Sequence, residues 1–363
     1  MPIKQRFDRL LLGAAVLQTA MGLAVLASAS WLIATERYGR SGSYFFTWQA
    51  ATAMIGLGVM IVCMHLRTEL TTDRRLAVFA LGISWVLLAV AFLQAPVAST
   101  HRWLSVGGIS LQPSVLARLA LIMFAAVVLD DLRREGWPQR RLLVFAAICA
   151  ITTGLIVAEP DLGSAALLIV VLGVMTFVSG MPMRFFAAPV AVASVVLAVA
   201  IVGSPYRLAR MQAFFDSQAG AAAGWQSYQS LVAIGSGGIV GRGYGAGLQK
   251  LFFLPEPHTD FIFSMIGEEL GLVGLLTFLG LAGVITWRGL VIAGRQEGSR
   301  RGLLAFGLTA AFAVQSLIHM LVCLDLLPPK GIPLPLVSYG KTDLVITLVA
   351  IGLLLNLSRE VTA

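Results

Sequence analysis

The stretch FIFSMIGEELGLVGLLTFLGLAGVITW, residues 261–287, carries only two charges, Glu268 and Glu269, in a long apolar run. A helix needs about 20 mostly apolar residues to cross the hydrocarbon of a bilayer, so this segment reads as a spanning helix that takes two acids with it. Similar runs cover roughly 10–33, 47–66, 76–95, 113–130, 141–158, 162–180, 185–203, 302–325 and 336–357. The whole chain of 363 residues is 58% hydrophobic and 12% charged, with a mean hydropathy of +0.87. A soluble domain carries about 25% charged residues, so the solvent of this chain is lipid. In lipid every backbone polar group must be satisfied internally, which leaves helices or closed barrels. The runs are unbroken rather than alternating, and helices follow. The expected fold is an all-α polytopic membrane protein of about ten transmembrane helices, forming a single domain over 1–363.

Charge placement sets the expected orientation. Basic residues cluster at Lys4, Arg6 and Arg9, at Arg67, Arg74 and Arg75, at Arg133, Arg134, Arg140 and Arg141, at Arg184, at Arg288, Arg295, Arg300 and Arg301, and at Arg359. Cytoplasmic loops collect Lys and Arg, so the N- and C-termini are expected to be cytoplasmic. The net charge of +8 then reflects topology, and no nucleic acid partner is implied. Lys4, Arg6 and Arg9 ahead of an apolar run also suit a signal peptide. That run exceeds a signal core, and no small-residue cleavage site stands out after it, so a retained first span is expected. Cys63, Cys149 and Cys323 all fall in predicted spans, which indicates neither a disulfide framework nor a metal cluster.

Two segments on the expected outer side exceed ordinary connections: 96–112, and the large extracytoplasmic loop 204–260 between spans seven and eight. Long loops in compact proteins usually carry function. Gly235-Ser236-Gly237-Gly238 through Gly241, Gly243, Gly245 and Gly247 has dinucleotide-like spacing, but no flanking strand–helix unit supports that reading. Close backbone approach explains it, and phosphate contact through backbone N–H groups stays open. Ionisable groups in or beside spans default to functional hypotheses: Arg118, Asp161, Asp260, Glu268, Glu269, Asp325, Lys341 and Asp343. Asp260, Ser264 and Glu268 share a helix face, a polar stripe suited to a cavity. Gly267 and Gly271 form a small-residue pair suited to helix packing. Asp260 is expected to function rather than merely cap its helix. Internal hydrogen bonds or ion pairs are the plainer roles of Glu268 and Glu269. Helix capping and ligand binding stay open for Asp161, and His258 reads as a loop hydrogen-bonder.

Leu254-Pro255-Glu256-Pro257-His258-Thr259-Asp260-Phe261-Ile262-Phe263, followed by Ile266-Gly267-Glu268-Glu269-Leu270-Gly271, resembles the signature of the FtsW/RodA family, the SEDS proteins of shape, elongation, division and sporulation. Arg102-Trp103-Leu104 with Ser110-Leu111-Gln112-Pro113-Ser114 agrees with it. So do Pro160-Asp161-Leu162-Gly163, Gln229-Ser230-Leu231 with Ile234-Gly235-Ser236-Gly237-Gly238, and Gly331-Ile332-Pro333-Leu334-Pro335 with Ser338-Tyr339-Gly340. The matches keep family order across nearly the whole chain. The stretch from Trp225 to Phe253, with Gln249-Lys250-Leu251-Phe252-Phe253, is more similar to FtsW than to RodA.

The resemblance implies a peptidoglycan glycosyltransferase that polymerises lipid II at the outer face of the bacterial cytoplasmic (inner) membrane. The implied partners are a class B penicillin-binding protein as transpeptidase and other division or elongation proteins. Asp260 takes the role of general base for the acceptor hydroxyl. Cations, or a divalent metal such as Mg or Mn, offset charge on the departing diphosphate. Arg102, Arg118, Arg210 and Lys250 are the candidates, with His258 and Gln229 as further substrate contacts and Asp161, Glu268, Glu269, Ser338 and Asp343 in support. Two departures stand out. The family usually has Glu and, three residues later, Lys where this chain has Val115 and Arg118, and Gly-Ser-Ser where it has Lys341-Thr342-Asp343. Arg118 thus lacks its usual acid, and Asp343 is the expected replacement. A lipid II flippase and a non-catalytic scaffold are the alternatives in other functional classes. Paired broken helices in two halves, which would favour transport, are not evident in the sequence.

Overall fold

The computed structural model describes residues 7–94, 102–106, 109–186, 222–251 and 253–359, together with 198, 202–204, 208–209, 211–212 and 214. α1 (Arg9–Leu32) is capped by Asp8, whose carboxylate accepts from Leu11 N–H at 3.0 Å, and runs on into a π turn, Ile33–Arg37. α2 (Tyr44–His65), a single turn α3 (Thr68–Thr71) and α4 (Arg74–Leu93) follow. A small antiparallel hairpin, β1 (Leu104–Val106) and β2 (Ile109–Leu111), pairs Leu104 with Leu111 and leads into α5 (Pro113–Arg134). Next come α6 (Gln139–Ala158), α7 (Leu162–Val178), α8 (Ala222–Ser236), α9 (Ile262–Arg295), α10 (Arg300–Cys323) and α11 (Lys341–Ser358).

Among the described residues, seven helices are long and apolar enough to cross a membrane: α1 with its π turn, α2, α4, α6, α9, α10 and α11. The 17-residue α7 is a shorter apolar helix. α5 is buried on nearly every side, its Arg118 and Asp130 included. It packs against α4, α7 and α10, while α11 packs most closely on α2 and α9 lies between α1 and α10. Small residues let these backbones approach. A methyl group on Gly352 would lie 2.6 Å from the Met60 carbonyl, and one on Gly289 would collide with Thr309. Asn356 of α11 then caps the end of α2, its Nδ2 donating to the carbonyls of Cys63, Met64 and Leu66.

The start of α1 and the end of α11 share one end of the bundle. Asp8 N–H donates to Ser358 Oγ at 3.0 Å, and Asp8 pairs with Arg288 at 2.7 Å. At that end Asp130 is ringed by Arg133, Arg134 and Arg300, and Arg300 also reaches Asp131. Asp260 lies at the opposite end, with Asp161, Ser338 and the start of α11.

Three expectations change, and one lies outside the described residues. The segment 185–203 falls almost wholly outside the described residues. The last helix starts at Lys341 rather than 336, because Pro333 and Pro335 and a left-handed Leu336 (φ +66°) interrupt a helical ladder before it. The region 204–260 is not loop throughout, since α8 occupies 222–236. Gly267 and Gly271 do not form a helix-packing pair. Gly271 takes φ +65° and ψ −161° and breaks α9 there, while Gly267 abuts Ile234 of α8.

Candidate functional site

The break in α9 explains the glycine-rich stretch. A helix broken within a bundle leaves carbonyls and amides that must find partners. Residues 237–250 supply them. Arg242 N–H donates to Glu268 O and Gly243 N–H to Glu269 O, while Leu272 and Val273 N–H donate to the carbonyls of Gly238 and Ile239. This reciprocal capping needs backbone against backbone. A Cβ on Gly237 would meet Gly267 O, one on Gly241 would meet Glu269 O, and one on Gly271 would meet Gly241 N, each well inside contact distance.

The two glutamates close the same joint with their side chains. Glu268 Oε1 accepts from Leu248 N–H at 2.7 Å and Gln249 N–H at 3.2 Å. Glu269 Oε1 accepts from Lys250 Nζ at 2.8 Å and Ser28 Oγ at 2.6 Å, and its Oε2 from Gly245 N–H at 3.1 Å. Lys250 also donates to Gly245 O and Ser28 Oγ. All three charged side chains are buried. Two sequence expectations therefore fail. Lys250 is neutralised by Glu269 inside the fold and is not presented to a diphosphate. Glu268 does not continue a stripe with Asp260, because it turns into the glycine loop, and Ser264 faces Ser230 Oγ at 2.5 Å.

Asp260 has a different setting. It is half-buried and sits at the end of the 254–260 turn, its N–H donating to Glu256 O at 3.1 Å. The α10–α11 loop, 331–340, holds this turn in place. Ser338 Oγ donates to Thr259 O at 2.6 Å and Tyr339 N–H to His258 O at 3.0 Å. Leu334 N–H donates to Ser338 Oγ, and Gln49 of α2 brackets the segment from Ser338 O to Gly340 N–H. Gly331 lies directly beside the acid. A methyl group there would stand 3.4 Å from Asp260 Oδ2 and 3.5 Å from Oδ1.

Arg118 and Asp343 meet under this loop. Arg118 Nη2 donates to Asp343 Oδ1 at 2.9 Å, and its Nη1 donates to Gln315 Oε1 at 2.6 Å. Gln315 Nε2 reaches both Asp343 oxygens at 3.1 Å and Pro333 O at 2.8 Å. The acid absent at Val115 on α5 is thus supplied from α11, and Val115 packs in the apolar core. Buried and neutralised, Arg118 ties α5, α10 and α11 together and does not face solvent.

Asp161 is a cap. Its Oδ1 accepts from Ser164 N–H, and its Oδ2 accepts from Ser164 Oγ, Ser114 Oγ and Gln112 Nε2 at 2.7–3.0 Å. Glu159, two residues earlier, is its opposite: fully buried, with neither oxygen hydrogen-bonded. Burial pushes its carboxyl up to about 8, Asp161 adds to that, and Arg102 pulls it partly back. Arg102 is half-buried at the start of the hairpin, which places it beside the Glu159–Asp161 turn. His258 is buried against Phe45 and Tyr339. Burial, reinforced by Arg37, holds its imidazole down at about 4, so it is neutral and gives no cation to an anionic ligand. Gln229 is buried in α8, and Arg210 lies outside the described residues.

Sequence reasoning missed Gln49, Gln315, His319 and Lys330. The first three are amide or imidazole groups inside apolar spans, the signal that was read for charged residues and not for neutral ones. Lys330 precedes Gly331 and is half-buried, with burial lowering its pKa. Among the described residues no three His, Cys, Asp or Glu side chains gather as a metal cluster.

Fold and site together define a polytopic helical membrane protein with a half-open acid held between two loops at one end. The chain belongs to the FtsW/RodA/SpoVE family of cell cycle proteins, whose profile matches residues 8–363. It is 36% identical over 357 residues to the probable peptidoglycan glycosyltransferase FtsW of Trichlorobacter lovleyi, covering 97% of this chain and 93% of that one. It is 36% identical over 364 residues to the protein of the same name from Legionella pneumophila, covering 98% and 91%. Among solved structures, a chain of a peptidoglycan synthase complex that coordinates polymerization and crosslinking superposes with TM-score 0.78 at 25% identity, covering 98% of both chains. The rod shape determining protein RodA of Thermus thermophilus superposes with TM-score 0.69 at 25% identity, covering 98% and 97%.

Proposed function

We infer that the protein is a peptidoglycan glycosyltransferase of the FtsW kind, polymerising lipid II, with Asp260 as its general base. The observation that carries the role of Asp260 is the contrast in exposure. Glu268, Glu269, Asp161 and Asp343 are buried and hydrogen-bonded to fixed donors, whereas Asp260 is half-buried at the mouth of the bundle. A base must reach the proton it removes. In the reaction the acceptor sugar hydroxyl oxygen forms a bond to the donor's anomeric carbon. The bond from that carbon to the diphosphate oxygen breaks, the diphosphate leaves with the electron pair, and Asp260 takes the hydroxyl proton. Lys330, one residue from the glycine that lies against Asp260, and Arg102 stabilise the departing diphosphate. A divalent cation has no three-residue protein cage among the described residues and would draw most of its ligands from the lipid diphosphate.

The finer topology belongs to the same reading. The chain makes ten spans in the bacterial cytoplasmic membrane, with the arginine-ringed Asp130 end and both termini cytoplasmic and Asp260 extracytoplasmic. A class B penicillin-binding protein is its transpeptidase partner. The test is glycan-strand formation from purified lipid II in detergent, with and without the cognate transpeptidase. Asp260→Asn is expected to lower turnover by at least about a hundredfold in a folded protein. Turnover equal to wild type in that variant would remove the assignment.

A further inference from the structure

We propose that His319 is a positioning residue for Asp260, and that one face of α10 acts as the rail that sets the base in place. The proposal rests on the reading of Asp260 given above. Gln315, His319 and Cys323 recur every four residues on α10 and share one face. Each engages the mouth of the site. Gln315 Nε2 donates to Pro333 O at 2.8 Å, and His319 Nδ1 lies 2.8 Å from Ile332 O. Cys323 Sγ lies 3.8 Å from Asp260 O, a weak thiol contact. The rail thus grips two consecutive carbonyls of the loop on one side and the backbone of Asp260 on the other. Gly331, the next residue back along the loop, abuts the Asp260 carboxylate. Pulling Ile332 toward α10 therefore sets how near Gly331 stands to the acid, and Ile332 also packs over Gly163 at the α7 start.

The chemistry of His319 singles it out from an ordinary core histidine. A carbonyl only accepts, so Nδ1 carries the proton and donates to Ile332 O. Nε2 is then a bare lone pair, and it is buried without a partner. A buried acceptor left unmade is unfavourable, so the ring is retained for its Nδ1 hydrogen bond and not for anything at Nε2. An asparagine amide offers a donor near the Nδ1 position without the orphan nitrogen. Positioning within about 1 Å controls roughly a hundredfold in rate, and that is the size of effect a lost grip on Ile332 implies.

The experiment compares lipid II polymerisation by purified full-length wild type, His319→Asn, His319→Leu, His319→Gln and Asp260→Asn, each with the transpeptidase partner, alongside melting temperature. The expected result is a kcat for His319→Asn within about threefold of wild type. His319→Leu loses about a hundredfold in kcat with KM for lipid II unchanged. Should His319→Leu not fold, His319→Gln, whose amide sits one methylene farther out, is expected to show the same kcat loss. Wild-type kcat in folded His319→Leu or His319→Gln, with Asp260→Asn inactive, overturns the positioning role alone. A loss in His319→Asn as deep as in the others, or a change confined to KM, overturns it too. An active Asp260→Asn removes the base and the positioning role with it.

Discussion

Asp260 and Glu268 stand eight residues apart at the head of one helix, yet their surroundings are opposite. Glu268 is 1% exposed and receives backbone N–H groups from Leu248 and Gln249. Asp260 is half-buried at the end of a turn that the α10–α11 loop clamps through Ser338 Oγ and Tyr339 N–H. The difference teaches what divides a structural acid from a chemical one in this fold. A carboxylate buried among fixed donors is closed to a substrate, whereas one half-open at the mouth can reach the proton it must remove. Glu268 and Glu269 weld the glycine loop to the broken helix, and the 254–260 turn carries Asp260 free of that weld.

The comparison can be broken most forcefully at the weld. Glu269→Ala leaves Lys250 buried without its acid, and removal of one partner of a buried pair destabilises by about 3–5 kcal/mol. Thermal unfolding in detergent should show it, with Lys250→Met in the same chain recovering most of the loss. Asp343→Ala strands Arg118 in the same way and should cost about as much. Asp343→Asn, which keeps the Gln315 contact but not the charge, should cost less. Gly241→Ala forces an alanine to φ +83° against the Glu269 carbonyl. The backbone strain alone is about 1–3 kcal/mol, again read by unfolding.

A pH-dependent effect concerns Glu159. Its folded carboxyl is raised to about 8, so the folded state holds a proton that the unfolded chain releases above the ordinary carboxylate range. Its contribution is fully present below the unfolded pKa and is lost as pH rises toward 8. Glu159→Gln should flatten that fall in melting temperature across pH 5 to 8, measured against wild type. An unchanged slope contradicts the buried, unpaired setting of this acid.

Much of this arrangement was legible in residue order. The apolar runs located the helices, because lipid leaves the backbone few alternatives, and the intramembrane acids and Arg118 marked the polar network. Asp343 was readable as the partner of Arg118 only through the family resemblance, which left Arg118 without its usual acid and showed an extra carboxylate at 343. Other features were not. The break at Gly271 depends on a loop 30 residues earlier returning to cap it, and an isolated glycine in an apolar run gives no such sign. Lys250 looked available because its neutralising acid, Glu269, is distant in sequence and adjacent only in the fold. Gln315 and His319 carry no charge, so nothing in a charge-based reading raised them above ordinary polar residues of a span.

The sharpest measurement pairs turnover with stability in Asp260→Asn and Glu268→Gln, assayed side by side on lipid II. Asp260→Asn should melt within a degree or two of wild type and form no glycan strands. Glu268→Gln should melt lower, while its folded fraction keeps turnover within about tenfold of wild type. A stable but inactive Glu268→Gln beside an active Asp260→Asn would place the chemistry in the weld and contradict the division drawn between the two acids.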